Sequence, residues 1–186
     1  MSTSTSFYSS NELSTLGFKA LGNNVLISRF ARFYGIENME IGSNVRIDDF
    51  CILSGKIKLG SYIHISAYCA LYGQYGIELE DYTGLSPRCT LFSASDDFSG
   101  EHMISPMVPK NLTNVQGGKL TLERFTQVGA NTIILPNVTL SEGSVIGAMS
   151  LVKQNTKAWM VYAGVPAKFI KHRQNNILKL FNKDKL

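Results

Sequence analysis

Aliphatic side chains recur every six positions along most of the chain. Ile41, Ile47, Leu53, Leu59, Ile65 and Leu71 form one run, and Leu122, Val128, Ile134, Leu140, Ile146 and Val152 form another. Between them the series slips by two, through Ile77 to Leu79, and continues at Leu85 and Leu91; an earlier run of Leu21, Ile27 and Phe33 slips in the same way through Met39 to Ile41. Four places after each aliphatic residue sits a small or β-branched one: Val45, Cys51, Ile63, Cys69, Thr83, Cys89, Thr126, Thr132, Val138, Ser144 and Ser150. Two inward side chains in six residues is the alternation of a strand interrupted by a turn. A helix would need apolar residues three and four apart, and a period of six cannot keep them on one helix face. Three six-residue sides close a triangular coil whose strands pair with the coils above and below, about 4.8 Å away, so that backbone groups are satisfied between coils. The pattern predicts an all-β fold, a parallel β-helix over residues 21–157.

Three segments fall outside the period. Residues 7–19 carry a capping box, Ser9 to Glu12, ahead of Leu13 and Leu16, and predict a short helix over the lower end of the solenoid. Residues 95–119 contain Pro106, Pro109 and Gly117-Gly118 without periodicity; a long loop thrown out of a compact fold is usually functional. From about Ala167 a C-terminal helix is expected, with Ile170, Ile177, Leu178 and Phe181 on one side. At 186 residues the chain suffices for one domain, divided into a cap (1–20), the coils with their loop (21–157), and a terminal turn and helix (158–186).

Cys51, Cys69 and Cys89 occupy one slot of three successive coils and should form a buried column. A metal or redox role would want a CxxC pair or histidines at ligand spacing, and neither is present. Reduced thiols and an N-terminus without an apolar h-region read as cytoplasmic, and no apolar run is long enough to span a membrane. The net charge of +4 is modest. The basic residues gather partly at the end, in Lys168, Lys171, Arg173, Lys179, Lys183 and Lys185, which suits a small anionic ligand; no aromatic–basic interleaving points to nucleic acid.

The repeat, the ejected loop and the ending Tyr162-Ala163-Gly164-Val165-Pro166-Ala167-Lys168 together resemble the hexapeptide-repeat acyltransferases, most of all the maltose and galactoside O-acetyltransferases and the sugar acetyltransferases of bacterial surface-polysaccharide clusters. The resemblance covers nearly the whole chain. It implies a left-handed β-helix, a homotrimer with active sites between subunits, and acetyl-CoA lying along the upper coils without a metal. On that basis Gly129, Ala130, Gly147 and Ala148 match small residues beside the pantetheine arm. Gly164 and Pro166 match the turn near the nucleotide, and Lys168, with Lys171 or Arg173, the cationic phosphate contacts.

Acetyl transfer to a hydroxyl needs a base and a stabilised oxyanion. In maltose-type enzymes a histidine follows a strand much like residues 91–95; the matching position here is Asp96. Three candidates for the catalytic group follow. His102 lies further along the loop. His64 is expected to point outward, two residues before Ser66, which matches an acceptor-contacting Asn of the family. Asp96, with Asp97, could orient an imidazole or bind acceptor hydroxyls. Asp48, Asp49 and Tyr68 are further acceptor candidates, with Tyr72 and Tyr75 able to stack on a sugar or pack between subunits; His172 falls nearer CoA or solvent.

The leading expectation is O-acetylation of a sugar or glycoside by direct attack, for O-antigen, lipopolysaccharide or capsule. The alternative is N-acetylation of an amino-sugar nucleotide, whose amine loses its proton readily enough to dispense with the family histidine. From other classes come a non-catalytic scaffold, which would not bind CoA, and a metal enzyme like the trimeric carbonic anhydrases, which would need three converging histidines.

Overall fold

The computed structural model describes residues 6–183; Lys185 lies outside them. The period-six residues close three columns, each facing the solenoid axis and paired in parallel from coil to coil. On the first face Leu21, Ile41, Leu59, Leu79, Leu122 and Leu140 stand in register. On the second face the column is Ile27, Ile47, Ile65, Leu85, Val128, Ile146 and Tyr162. On the third it is Phe33, Leu53, Leu71, Leu91, Ile134 and Val152. All but the terminal members Leu21, Phe33 and Tyr162 are buried. Burying one such side chain is worth about 1.5–3 kcal/mol, so the stability is spread along the axis, coil by coil.

The two-residue slip is also visible. Gly55 pairs with Gly73 and Ile57 with Ile77, so the upper strand carries the extra pair as a bulge and the column continues undisturbed. The ejected loop is tolerated for the same reason: Leu120 and Leu122 return onto Ile77 and Leu79. Cys51, Cys69 and Cys89 form the expected buried column of free thiols.

Helix α1 (Ser10–Thr15) forms with its capping box complete. Ser9 N–H donates to Glu12 Oε2 at 2.8 Å, and Arg29 clamps the same carboxylate with two 2.7 Å hydrogen bonds. Arg29 first, and then Ser9, hold the Glu12 carboxyl down at about 2. Leu13 is the side chain α1 buries against the lowest coil.

The C-terminal segment departs from expectation. In place of a helix from Ala167, the chain reverses at the Gly164 turn and Lys168–His172 adds antiparallel to Met160–Ala163. That pairing covers the polar edge the last coil would leave open. It also takes Ile170 out of the helix, which runs only over Ile177–Lys183 (α2). Phe181 of α2 packs edge-on against Tyr82 and Phe125. Those rings belong to a corner column of left-handed residues, Tyr62, Tyr82, Phe125 and Trp159. Gly143 stands in that column with φ +67°, where any Cβ would meet the Trp159 ring at 2.5 Å. Among the described residues no helix is long and apolar enough to cross a membrane.

Candidate active site

One residue beyond each inward side chain of the second face from Ile47 to Ile146, the chain presents Asp48, Ser66, Ser86, Gly129 and Gly147 as a column up the outside of the solenoid. Their N–H groups donate in turn to Ile65, Leu85, Val128, Ile146 and Tyr162 O at 2.7–3.0 Å. The lower end offers a carboxylate and two hydroxyls, and the upper end bare backbone. At Gly129 the stacking itself demands glycine, because a Cβ would lie 2.4 Å from Ala148 N. Close coil packing and a surface free of side chains are met by the same residue.

His64 projects beside the lower end. Its Nε2 lies 2.7 Å from Asp48 Oδ2, and Arg46 Nε donates to the other oxygen at 2.6 Å. Burial pushes the Asp48 carboxyl up, but the hydrogen bonds from Arg46 and His64 outweigh it and hold it below the usual range. An ionised carboxylate only accepts, so Nε2 carries the proton in this hydrogen bond. Asp49 accepts instead from buried Ser28 and belongs to the turn. Tyr68 stands at a left-handed corner, stacked on Phe50 at 5.0 Å with Arg88 over its outer face.

The loop is tied at its neck by an antiparallel pair, Ala94–Ser95 with Gln116–Gly117. Asp97 organises its interior, accepting from Ser99 N, Asn114 Nδ2 and His102 Nδ1, each at 2.9 Å. The Ser99 backbone first, then the Ser99 and Asn114 side chains, hold its carboxyl far below the usual range. Asp97 is thus a loop brace that also orients the His102 imidazole. Asp96 faces differently. With Tyr72, Gln74, Ser105 and Lys110 it lines an open cleft of about 590 Å³ between the loop and the third face. Among the described residues no side chain donates to its carboxylate.

At the upper end, Pro166, Ala167 and Lys168 line a hollow with Lys153, Asn155 and Tyr162. Gly164 (φ +104°) makes the turn there, its N–H donating to Ser150 Oγ and its carbonyl accepting from Leu151 N. Lys171 is exposed on the antiparallel strand.

No family model matches the chain. It is 41% identical to a dTDP-4-amino-4,6-dideoxy-D-glucose acyltransferase of Escherichia coli over 91% of this chain and 90% of that protein. It is 29% identical to the putative lipopolysaccharide biosynthesis O-acetyl transferase WbbJ of Escherichia coli K12, over 79% of this chain and 74% of that one. AntD, an N-acyltransferase from Bacillus cereus solved with dTDP-4-amino-4,6-dideoxyglucose and coenzyme A, is 48% identical over 97% of both chains and superposes with a TM-score of 0.94. The chain belongs to the hexapeptide-repeat sugar acyltransferases. Its β-helix is left-handed, and it is a CoA-dependent enzyme acting on a sugar.

In this acyltransferase Arg173, expected near the phosphates, turns toward the corner column. Its Nη1 donates to Phe125 O and Gly143 O, both at 2.8 Å, and the guanidinium lies over Trp159. That fastens the C-terminal strand to the corner column. His172 is in ring contact with Phe169, at the far end of the same strand. The cysteines sit inside the coil, and the neighbouring thiols, Cys51 before Cys89, together with burial push the Cys69 thiol up, away from the nucleophilic thiolate. Among the described residues no three His, Cys, Asp or Glu gather as metal ligands. Ser86, not among the sequence-derived candidates, follows Leu85 just as Ser66 follows Ile65, and the same column position in every coil identifies it.

Proposed function

We propose that this enzyme transfers an acyl group from acyl-CoA to the amine of a dTDP-linked amino sugar. That is the alternative of the sequence reading, and it is favoured over a hydroxyl acceptor. The observation that carries it is Asp96, a carboxylate at the mouth of the loop cleft where O-acetyltransferases of the family place histidine. AntD adds a second support. Its crystals include variants at a serine and at an aspartate ten residues further on; Ser86 and Asp96 are the one serine–aspartate pair in this chain with that spacing.

The amine arrives as an ammonium and must lose a proton before it attacks. Asp96 accepts that proton; the amine nitrogen then adds to the thioester carbonyl, the C–S bond breaks, and the departing thiolate takes up the second proton that the nitrogen sheds, giving the amide and free CoA. A carboxylate is a weak base unless its pKa is raised, so it suits an amine far better than a hydroxyl. Ser86 supports the acceptor from the column. His64 and His102 are the secondary candidates for acid–base work, each oriented by its aspartate, and Asp48, Ser66 and Tyr68 flank the acceptor. The pantetheine arm follows Gly129, Ala130, Gly147 and Ala148 to the Gly164 and Pro166 turn, with Lys168 and Lys171 on the phosphates. The acyl group need not be acetyl, since AntD was also solved with 3-hydroxybutyryl-CoA. We further propose a homotrimer with sites between subunits, supported by the exposed aromatic corner of Phe30, Phe50 and Tyr68.

Mass spectrometry of mixtures of acetyl-CoA or 3-hydroxybutyryl-CoA with dTDP-4-amino-4,6-dideoxyglucose tests the reading, with dTDP-glucose as the hydroxyl-only comparison. An amide product is expected from the amino sugar alone; ester product on dTDP-glucose with none on the amino sugar would sink it. Lys168→Ala should weaken CoA binding about three- to tenfold, and the difference should shrink with added salt. Unchanged CoA affinity by calorimetry removes Lys168 from the cofactor site.

A further inference from the structure

The groove column is held from inside as well as along its edge. Cys51 Sγ donates to Ser66 O, Cys69 Sγ to Ser86 O and Cys89 Sγ to Gly129 O, each at 3.2 Å. Higher up, Thr132 Oγ1 continues the series onto Gly147 O at 3.2 Å, and Ser150 Oγ donates to the same carbonyl at 2.7 Å. From Cys51 to Thr132, each buried donor reaches the carbonyl of the groove residue in the coil above.

Packing alone does not explain the choice of residue. In the coils of Cys51 and Cys69 the two other corners hold Val45 and Ile57, then Ile63 and Ile77, all buried. In the coil of Cys89, Thr83 donates back within its own turn, to Glu80 O at 2.9 Å. Aliphatic residues therefore satisfy this interior elsewhere in the lower coils; higher up Thr83, Thr126 and Ser144 fill another corner, but Thr83 donates within its own turn and Thr126 Oγ1 meets no partner, so among the described residues a donor series from coil to coil runs behind the column. A thiol is a weak donor, but each of these is itself fully buried, and a buried polar group left unmet is costly.

We propose that Cys69 is a positioning residue for acyl transfer, its buried thiol fixing the peptide that carries Ser86, with Cys51 and Cys89 doing the same for Ser66 and Gly129. With the Ser86 N–H held by Val128 O at 2.9 Å, the thiol secures the other side of the residue, and the hydroxyl stays aimed outward. The inference rests on the reading of Ser86 as an acceptor residue.

The discriminating pair is Cys69→Ala, which removes the donor, and Cys69→Ser, which restores one of nearly the same size. Ile57→Val, at another corner, serves as the packing control. With acyl-CoA and dTDP-4-amino-4,6-dideoxyglucose, Cys69→Ala should lower kcat about three- to tenfold at unchanged KM for acyl-CoA. Cys69→Ser should recover most of that rate, and Ile57→Val should stay near wild type. A merely structural role predicts that rate follows melting temperature across all three variants. Hydrogen exchange over residues 84–90 reads the hold without substrate: Cys69→Ala should exchange faster there and Cys69→Ser should not. An alanine variant as fast as wild type, a serine variant as slow as alanine, or equal exchange in the two overturns the proposal. If wild type acylates no amino sugar, the proposed function fails by itself, and the exchange comparison still decides whether the thiol holds Ser86.

Discussion

Asp96→Asn is expected to lower kcat for the amino-sugar nucleotide on the order of 10²- to 10³-fold, the usual weight of a positioned proton acceptor, while CoA binds as before. The substitution keeps the shape and one accepting oxygen of Asp96 and removes its charge and its ability to take a proton. Asp96 lines the loop cleft and Asp97 braces the loop, so the fold should not depend on the Asp96 charge and the melting temperature should hold. Asp97→Asn is the informative contrast, because it weakens three inward hydrogen bonds and should disturb the loop as a whole. His102→Ala and His64→Ala separate the remaining candidates. If either costs as much as Asp96→Asn under steady-state assay with the amino sugar, the carboxylate is not the sole acceptor; if Asp96→Asn retains full kcat, the carboxylate mechanism is lost.

The period of six made the coils legible because it is imposed by the solenoid itself. Each aliphatic position has one slot to fill, and the slips at Met39 and Ile77 were visible as phase changes before any register was known. The cysteine column followed from the same rule. The loop was legible only as an interruption, since its internal order comes from Asp97 reaching Ser99, His102 and Asn114, contacts that no period encodes. Of the two roles the sequence offers Asp96 and Asp97, Asp97 takes up the orienting of an imidazole, that of His102, while Asp96 faces the cleft.

The C-terminal segment failed for a related reason. Ile170, Ile177, Leu178 and Phe181 are spaced as a helix face would space them, yet the open edge of the last coil took residues 168–172 into the sheet. Tertiary pairing overrode local pattern, as it does wherever an unsatisfied edge lies within reach. On the cofactor side, glycines were assigned to the thioester arm from resemblance, and Gly129 turns out to be required by coil stacking as well. A sequence cannot tell which of two demands selected a glycine, whereas the contact a Cβ would make can.

Arg173→Ala should lower stability by about 2–3 kcal/mol, since removing a charged donor leaves the carbonyls of Phe125 and Gly143 without their hydrogen bond; for a chain of this length that is roughly a 4–12 °C drop in melting temperature. The guanidinium is partly desolvated, which lowers its pKa from the ordinary arginine value. Its two acceptors come from separate coils, and its plane covers Trp159, so one side chain closes the upper corner column. Arg173→Lys should recover little, because an ammonium cannot reproduce the planar fork or its stacking on the indole. CoA affinity measured well below the transition should stay within about twofold of wild type, the reverse of Lys168→Ala. A variant that keeps its melting temperature but loses CoA binding would return Arg173 to the phosphate contacts and leave the C-terminal strand to be held by its sheet pairing alone.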